Sequence, residues 1–205
     1  MNSTASRIAC IVLAAGYSRR FGTDKRSASV GEHTLLDLTL QSIPPLFCTQ
    51  VLVLHPGDEA LVERYRNGWQ TVVAAAAQHG LGHSLAAALA RADQWEGVVV
   101  VLADMPRVSP ATYAALVKEL NREVLVVPLH QGQRGNPVGI GARFFPELAH
   151  PVGDSGARQL FQRYPEALVT LDLADPGILL DVDTVEALAQ LRAAHQDSHE
   201  GSAQG

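Results

Sequence analysis

Cysteine is scarce in this chain: Cys10 lies inside an apolar run and Cys48 follows a Pro-Pro pair, which is too little for a disulfide framework or a zinc site. A reducing, cytoplasmic setting is expected. No hydrophobic run approaches the length of a membrane span, and the polar start M-N-S-T-A-S-R brings no basic region ahead of one, as a signal peptide would. Neither membrane association nor export is expected. A net charge of −5 argues against a nucleic-acid surface, a role that usually requires a basic face. The eight histidines are scattered without H-E-x-x-H spacing, and no serine sits in G-x-S-x-G. The histidines therefore read as surface or loop residues, although His79 and His83 flank a candidate substrate loop.

What the chain does have is an alternation of short β-branched runs with helical patterns. Strands are predicted at Ile8–Leu13, Val51–Leu54, Thr71–Ala74, Val98–Leu102 and Val124–Val127. Helices are predicted at Thr34–Ser42, at Ser84–Ala92 with Ser84 as N-cap, at Ala111–Leu120 behind Ser109-Pro110, and at Val185–Ala193 with Asp183 and Glu186 as a capping arrangement. Val98–Leu102 and Val124–Val127 are uniformly apolar, as strands are when helices cover both faces of a parallel sheet. The fold class is thus α/β: a doubly wound, mostly parallel sheet in a single domain over 1–205. Its folded core spans about 7–195, and residues 196–205 are expected to form a disordered tail, because they lack apolar periodicity. In such sheets ligands bind beyond the carboxyl ends of the strands.

The stretch Ile8 to Lys25, I-A-C-I-V-L-A-A-G-Y-S-R-R-F-G-T-D-K, carries the strongest functional signal. An apolar strand ends in Ala-Ala-Gly, and Arg19, Arg20 and Lys25 follow among glycines and hydroxyls. Small residues allow close backbone approach to an anion, free N–H groups line a nest, and the cations supply charge for a polyphosphate. Five residues separate Gly16 from Gly22 and no Lys-Ser follows, so this is not a Walker A loop; nor does Gly16 have the neighbours of G-x-G-x-x-G.

Two acidic positions follow later. Asp104, in V-V-V-L-A-D-M-P, ends the most apolar strand, where a buried carboxylate needs a partner; Mg²⁺, held by one or two carboxylates and substrate phosphates, is the natural one. Asp181-Val182-Asp183 offers a second carboxylate, or a cap for the last helix. Gly80-Leu81-Gly82-His83-Ser84 is a strand-to-helix loop whose N–H groups and Ser84 hydroxyl suit a base or phosphate. Read singly, each of these strings also fits an ordinary turn or cap.

Taken in order, the strings resemble a known family. L-A-A-G-x-S-x-R-F-G-x-D-K from Leu13 to Lys25, V-V-V-L-A-D-M-P, Gly135-Asn136-Pro137-Val138, Gly153-Asp154-Ser155-Gly156-Ala157-Arg158 and D-V-D-T-V-E-A-L are similar to the motifs of the MobA-like nucleotidyltransferases, in their molybdenum-cofactor cytidylyltransferase branch. The resemblance extends from Leu13 to Leu188. It implies a Rossmann-like nucleotidyltransferase fold and Mg²⁺-dependent transfer of CMP from CTP to a molybdopterin-type acceptor with release of pyrophosphate. A molybdoenzyme or its maturation chaperone would be the recipient. By the same resemblance Arg20 and Lys25 are catalytic, Asp104 and Asp183 bind the metal, and Leu13, Ala14, Ala15, Gly16, Ser18, Gly80, Ser84, Asn136 and Asp154 contact nucleotide or acceptor. Ala14-Ala15-Gly16 is similar to the cytidylyl branch. Asp24-Lys25-Arg26 is nearer to the guanylyl branch, and Ser27-Ala28-Ser29-Val30-Gly31 departs from the apolar segment usual after the lysine. A guanylyltransferase, a transferase acting on another phosphorylated small molecule, and a non-catalytic cofactor-binding accessory protein are the alternatives.

Overall fold

Alternate residues of an extended strand face opposite sides of a sheet, and here both sets are apolar. Ala9, Ile11 and Leu13 enter one core, whereas Ile8, Cys10 and Val12 enter the other, so the first strand is buried on both faces. That demands helices on both sides. The computed structural model describes residues 7–16, 21, 24–151 and 157–202, and its strands in chain order are β1 Ile8–Leu13, β2 Ser29–Val30, β3 His33–Thr34, β4 Thr49–Leu54, β5 Gln70–Val73, β6 Gly97–Leu102, β7 Leu125–His130, β8 Gln133–Arg134, β9 Val138–Gly141 and β10 Leu168–Asp172. The α-helices are α1 Leu35–Ser42, α2 Glu59–Tyr65, α3 Leu81–Leu89, α4 Pro110–Glu119, α5 Phe145–Leu148, α6 Arg158–Arg163 and α7 Val185–Ser202.

Among the described residues the main sheet has eight strands in the order β10-β7-β9-β6-β1-β4-β5, with β8 paired to β7. β1 is parallel to β4 and β6, β4 to β5, and β7 to β10, whereas β9 runs antiparallel between β6 and β7. Helices α3, α5 and α6 cover one face, and α1, α2 and α4 the other. A third cluster, built from Val30, Leu35, Val182, Leu188 and Leu191, seats α7 on the β2–β3 hairpin and the start of α1. The predicted doubly wound, mostly parallel, single-domain sheet is the observed one.

From β1 the chain builds outward to β4 and β5, then returns to place β6 on the other side of β1. The switch point therefore lies between the carboxyl ends of β1 and β6, the place where open α/β sheets bind ligands.

Several boundaries differ from the sequence expectation. α3 begins at Leu81, not Ser84: Gly80 is its N-cap, and Ser84 is buried inside the helix. α7 is capped by Thr184, whose Oγ1 accepts the Ala187 N–H at 3.1 Å, so neither Asp183 nor Asp181 is needed as a cap. It continues to Ser202, past the end expected at Ala193 and into the residues expected as a tail. β9 was not expected because V-G-I-G reads as turn sequence. Its glycines are steric: a Cβ at Gly141 would lie 2.5 Å from the carbonyl oxygens of Asn121 and Arg122.

One irregular segment sets up the site. Buried Asp175 accepts the Ser109 N–H at 2.9 Å and the Thr112 hydroxyl at 2.6 Å, anchoring the chain to the start of α4. Farther along, the Ile178 carbonyl accepts the Asn136 N–H at 2.9 Å, and the Val182 N–H donates to the Asp104 carbonyl at 2.9 Å. Residues 175–183 thus cross the carboxyl ends of the strands and deliver Asp183 beside β6. A Cβ on Gly177 would lie 2.0 Å from the Arg107 carbonyl oxygen, a backbone overlap with no side chain to yield. Gly177→Ala should destabilise the protein by about 2–3 kcal/mol, read as a lowered Tm. Wild-type stability in that variant would show that the segment is not wedged in place.

Candidate active site

Asp104 follows β6 by two residues, and the Ala103 N–H donates to the Leu13 carbonyl at 3.3 Å, extending the β1–β6 pairing past the strand ends. Leu13, Ala14 and Gly16 leave β1 immediately alongside. Lys25 arrives on a 3₁₀ turn, Lys25–Ser27, whose N-cap Asp24 accepts the Arg26 N–H at 3.0 Å. Its ammonium donates to Asp104 Oδ2 and, at 2.5 Å, to Asp183 Oδ1. Three residues far apart in the chain therefore meet in one ion cluster.

The cluster occupies an open cleft of about 260 Å³, walled by Leu13, Ala14, Gly16, Lys25, Leu81, Asp104, Asp181 and Asp183, among others. Burial disfavours the Lys25 ammonium, but Asp104 and Asp183 outweigh it and hold its pKa above the ordinary lysine value. For Asp104, burial dominates instead: its carboxyl is pushed up, Lys25 offsets only part of the penalty, and Asp183 adds to it. The lysine side chain and Asp104 are 18% and 15% exposed and Asp183 is 42% exposed, so the carboxylate that resists ionisation is the deeper of the two.

Asp104 Oδ1 is buried and accepts no hydrogen bond among the described residues. An orphaned carboxylate oxygen beside a second carboxylate fits a hard, oxygen-seeking cation. Among the described residues no group of three or more His, Cys, Asp or Glu side chains converges as a metal cage. The donor set therefore fits an ion that takes one or two carboxylates and completes its shell with water and substrate oxygens, as Mg²⁺ does.

Of the residues singled out in the sequence, Leu13, Ala14, Gly16, Lys25, Asp104 and Asp183 meet at this cleft. Ala15 turns its methyl into the core beneath α3, with Ile11 and Leu85, and is 1% exposed. A Cβ on Gly16 would meet nothing within 4 Å, so the space beyond it is open. Gly80 adopts φ +116°, which strains any L side chain, and starts α3 so that Leu81, rather than Gly80 or Ser84, walls the cleft. Ser84 is 1% exposed, a consequence of lying on the core side of the helix rather than at its cap. Asn136 is half-buried and bonded through its N–H to Ile178, away from the lining of this cleft. The ring centroids of His79 and His83 lie 5.4 Å apart, at the start of α3. Ser18, Arg20 and Asp154 lie outside the described residues, as does Arg19.

A model of the MobA-like NTP transferase domain matches residues 10–168, from inside β1 to the start of β10. The chain belongs to this family. Purine catabolism protein PucB of Bacillus subtilis (strain 168) is similar at 30% identity over 196 residues, which is 90% of this chain and 95% of that protein. The molybdenum cofactor cytidylyltransferase of Escherichia coli (strain K12) is 27% identical over 183 residues, 87% of this chain and 92% of that enzyme. Among solved structures, Rv0371C from Mycobacterium tuberculosis H37Rv in complex with manganese superposes with a TM-score of 0.71 at 29% identity, covering 91% of this chain and 98% of that one. Membership makes the protein a nucleotidyltransferase, and the cleft at the switch point is its candidate active site.

The sequence reading passed over Leu81 and Arg26 as site residues. Leu81 carries a usable signal, an apolar residue directly after a glycine at a helix start, and is left 41% exposed at the cleft. Arg26 pairs locally with Asp24, but its place at the cleft also depends on Asp58, 32 residues away, which no local pattern reveals.

Asp104→Asn should leave the apo protein's Tm at or above wild type, since it removes a carboxylate whose burial outweighs its ion pair while Lys25 keeps Asp183. Divalent-metal affinity by calorimetry should fall by at least the roughly tenfold to hundredfold that losing even an outer-sphere partner costs. Asp183→Asn should be severe and Asp181→Asn mild. Equal metal affinity across all three variants would move the metal site elsewhere.

Proposed function

We propose that the protein is a molybdenum-cofactor cytidylyltransferase: an oxygen of a phosphate on molybdopterin attacks the α-phosphorus of CTP, the bond to the β-phosphate breaks, and pyrophosphate leaves. The Asp104–Lys25–Asp183 cluster at the switch point carries this reading, because it sets one cation and two carboxylates beside a loop open to a nucleotide. The similarity to the Escherichia coli cytidylyltransferase supports the choice of reaction.

Asp104 and Asp183 are the residues to hold Mg²⁺, which when bound would neutralise charge on the triphosphate. Lys25 stands between the same two carboxylates and offsets part of their charge in the nucleotide-free protein. Once the phosphates arrive, its ammonium is within the cleft to stabilise them, and Arg20 is proposed to do the same from the preceding loop. Transfer of this kind needs little covalent help from protein; positioning and charge stabilisation lower its barrier. No general base is required, since the acceptor phosphate is already ionised. Ala14 and Leu81 line the cleft together with Leu13, Leu35 and Leu102, Leu81 being the most exposed of them, and would wall the base. The product would pass to a molybdoenzyme or its maturation chaperone.

A second reading rests on the 30% identity to PucB: the same transfer would serve purine catabolism, the process for which that relative is named. It changes the product's destination and leaves the chemistry as above.

The test is incubation with Mg²⁺, molybdopterin and each nucleoside triphosphate, following pyrophosphate and the dinucleotide product. CTP should exceed GTP in kcat/KM by roughly tenfold or more, the scale set by a methyl-sized steric difference, and Ala14→Gly should narrow the gap. Preference for GTP would replace cytidylyl by guanylyl transfer, and nucleotide binding without pyrophosphate release would support the accessory-protein alternative. Lys25→Ala and Arg20→Ala should slow transfer on the order of a hundredfold, as removal of a transition-state charge stabiliser does, with circular dichroism unchanged.

A further inference from the structure

Arg26 follows Lys25 directly and lies at the same cleft, yet its guanidinium is committed elsewhere. Nε donates to Asp24 Oδ1 at 2.8 Å, and Nη2 donates to Asp24 Oδ2 at 2.8 Å and to Asp58 Oδ1 at 2.9 Å. Nη1 donates to Asp58 Oδ2 at 2.5 Å and to the Ala14 carbonyl at 2.6 Å. An arginine has five N–H donors, and all five are used. The side chain is 11% exposed, and its two aspartates leave the group with a net negative charge. None of this suits a phosphate ligand.

The partners show what the group does instead. Ala14 is the residue after β1, and its N–H donates to the Val53 carbonyl at 2.9 Å. Asp58 lies in the turn between β4 and α2, where it also accepts the His55 N–H at 2.8 Å. Asp24 caps the turn that carries Lys25. One planar group therefore joins the exit of β1, the exit of β4 and the lysine turn, each bordering the switch point.

We infer that Arg26 is a positioning residue for the nucleotide, a staple that holds the Ala14–Gly16 loop and the Lys25 turn in their receiving geometry without touching the phosphates. This rests on reading the cleft as a nucleoside triphosphate site. A loop fixed before binding loses less entropy when its ligand arrives, so the staple acts on nucleotide affinity. Lysine cannot replace it, having three donors on a single nitrogen and no planar fork to span two carboxylates.

Arg26→Lys, Arg26→Met and Asp58→Asn test this in the full chain, each checked by circular dichroism and Tm. CTP and GTP affinities are measured by calorimetry, alongside KM and kcat and the Mg²⁺ affinity without nucleotide. The expected result is a nucleotide dissociation constant and KM raised on the order of ten- to hundredfold in Arg26→Lys and in Asp58→Asn. Metal affinity should be unchanged in both, because Asp104 and Asp183 are intact, and the loss should fall on KM more than on kcat. Arg26→Lys combined with Asp58→Asn should be no worse than either alone. Should Arg26→Met fail to fold, the two milder variants still decide. A lowered Tm with wild-type nucleotide affinity would make the group a structural ion pair and overturn the inference. Weakened binding in Arg26→Met with wild-type binding in Asp58→Asn would overturn it also, by assigning Arg26 to the phosphates. A wild-type protein that binds neither nucleotide would overturn the reading of the cleft itself.

Discussion

The ion cluster of Lys25, Asp104 and Asp183 is the constraint around which the carboxyl end of the sheet is organised. A carboxylate as deeply placed as Asp104 needs a compensating charge, and the fold brings one from 79 residues away. It then adds a second carboxylate from 158 residues beyond the lysine. With two carboxylates and one ammonium the site carries an excess of negative charge and an orphaned oxygen, which is the electrostatic state that receives a divalent cation.

Everything that bounds the cluster serves to hold those three residues together. β1 and β6 are neighbours in the middle of a sheet buried on both faces, so the ends from which Leu13 and Asp104 emerge are fixed by the two largest apolar clusters. Asp183 has no strand of its own. It is placed by a segment tied to α4 through Asp175, to Asn136 through Ile178 and to Asp104 through Val182, and then by α7 packing over the β2–β3 hairpin. Lys25 is placed by a short turn whose cap, Asp24, is engaged by Arg26. The geometry of the cluster is thus an outcome of packing at some distance from it.

Adjacent cations in one loop can have opposite uses. Lys25 and Arg26 are consecutive and both border the cleft, but Lys25 faces the carboxylates at the switch point while Arg26 is consumed by Asp24, Asp58 and a backbone carbonyl. The distinction arises from donor geometry: an ammonium is a point charge that suits a crowded ion cluster, and a guanidinium is a planar fork that suits two carboxylates and a carbonyl at once.

The sequence by itself determined the elements whose pattern is local. Uniform apolar runs marked the central strands of a doubly wound sheet, Ser109-Pro110 marked the start of α4, and the order of motifs from Leu13 to Leu188 marked the family. Asp104 and Lys25 were legible because each sits directly beside a strand or loop with a distinctive string. What only the tertiary structure decided is whatever depends on distant contacts. Whether Asp183 caps a helix or faces Lys25 turned on Thr184 taking the cap, Ser84 was buried because α3 begins one turn earlier behind Gly80, and Arg26 found Asp58 across the β4–α2 turn. Hydrophobic period and capping chemistry are properties of a few adjacent residues, but the direction in which a polar side chain points is settled by which partner the completed fold brings within hydrogen-bond reach.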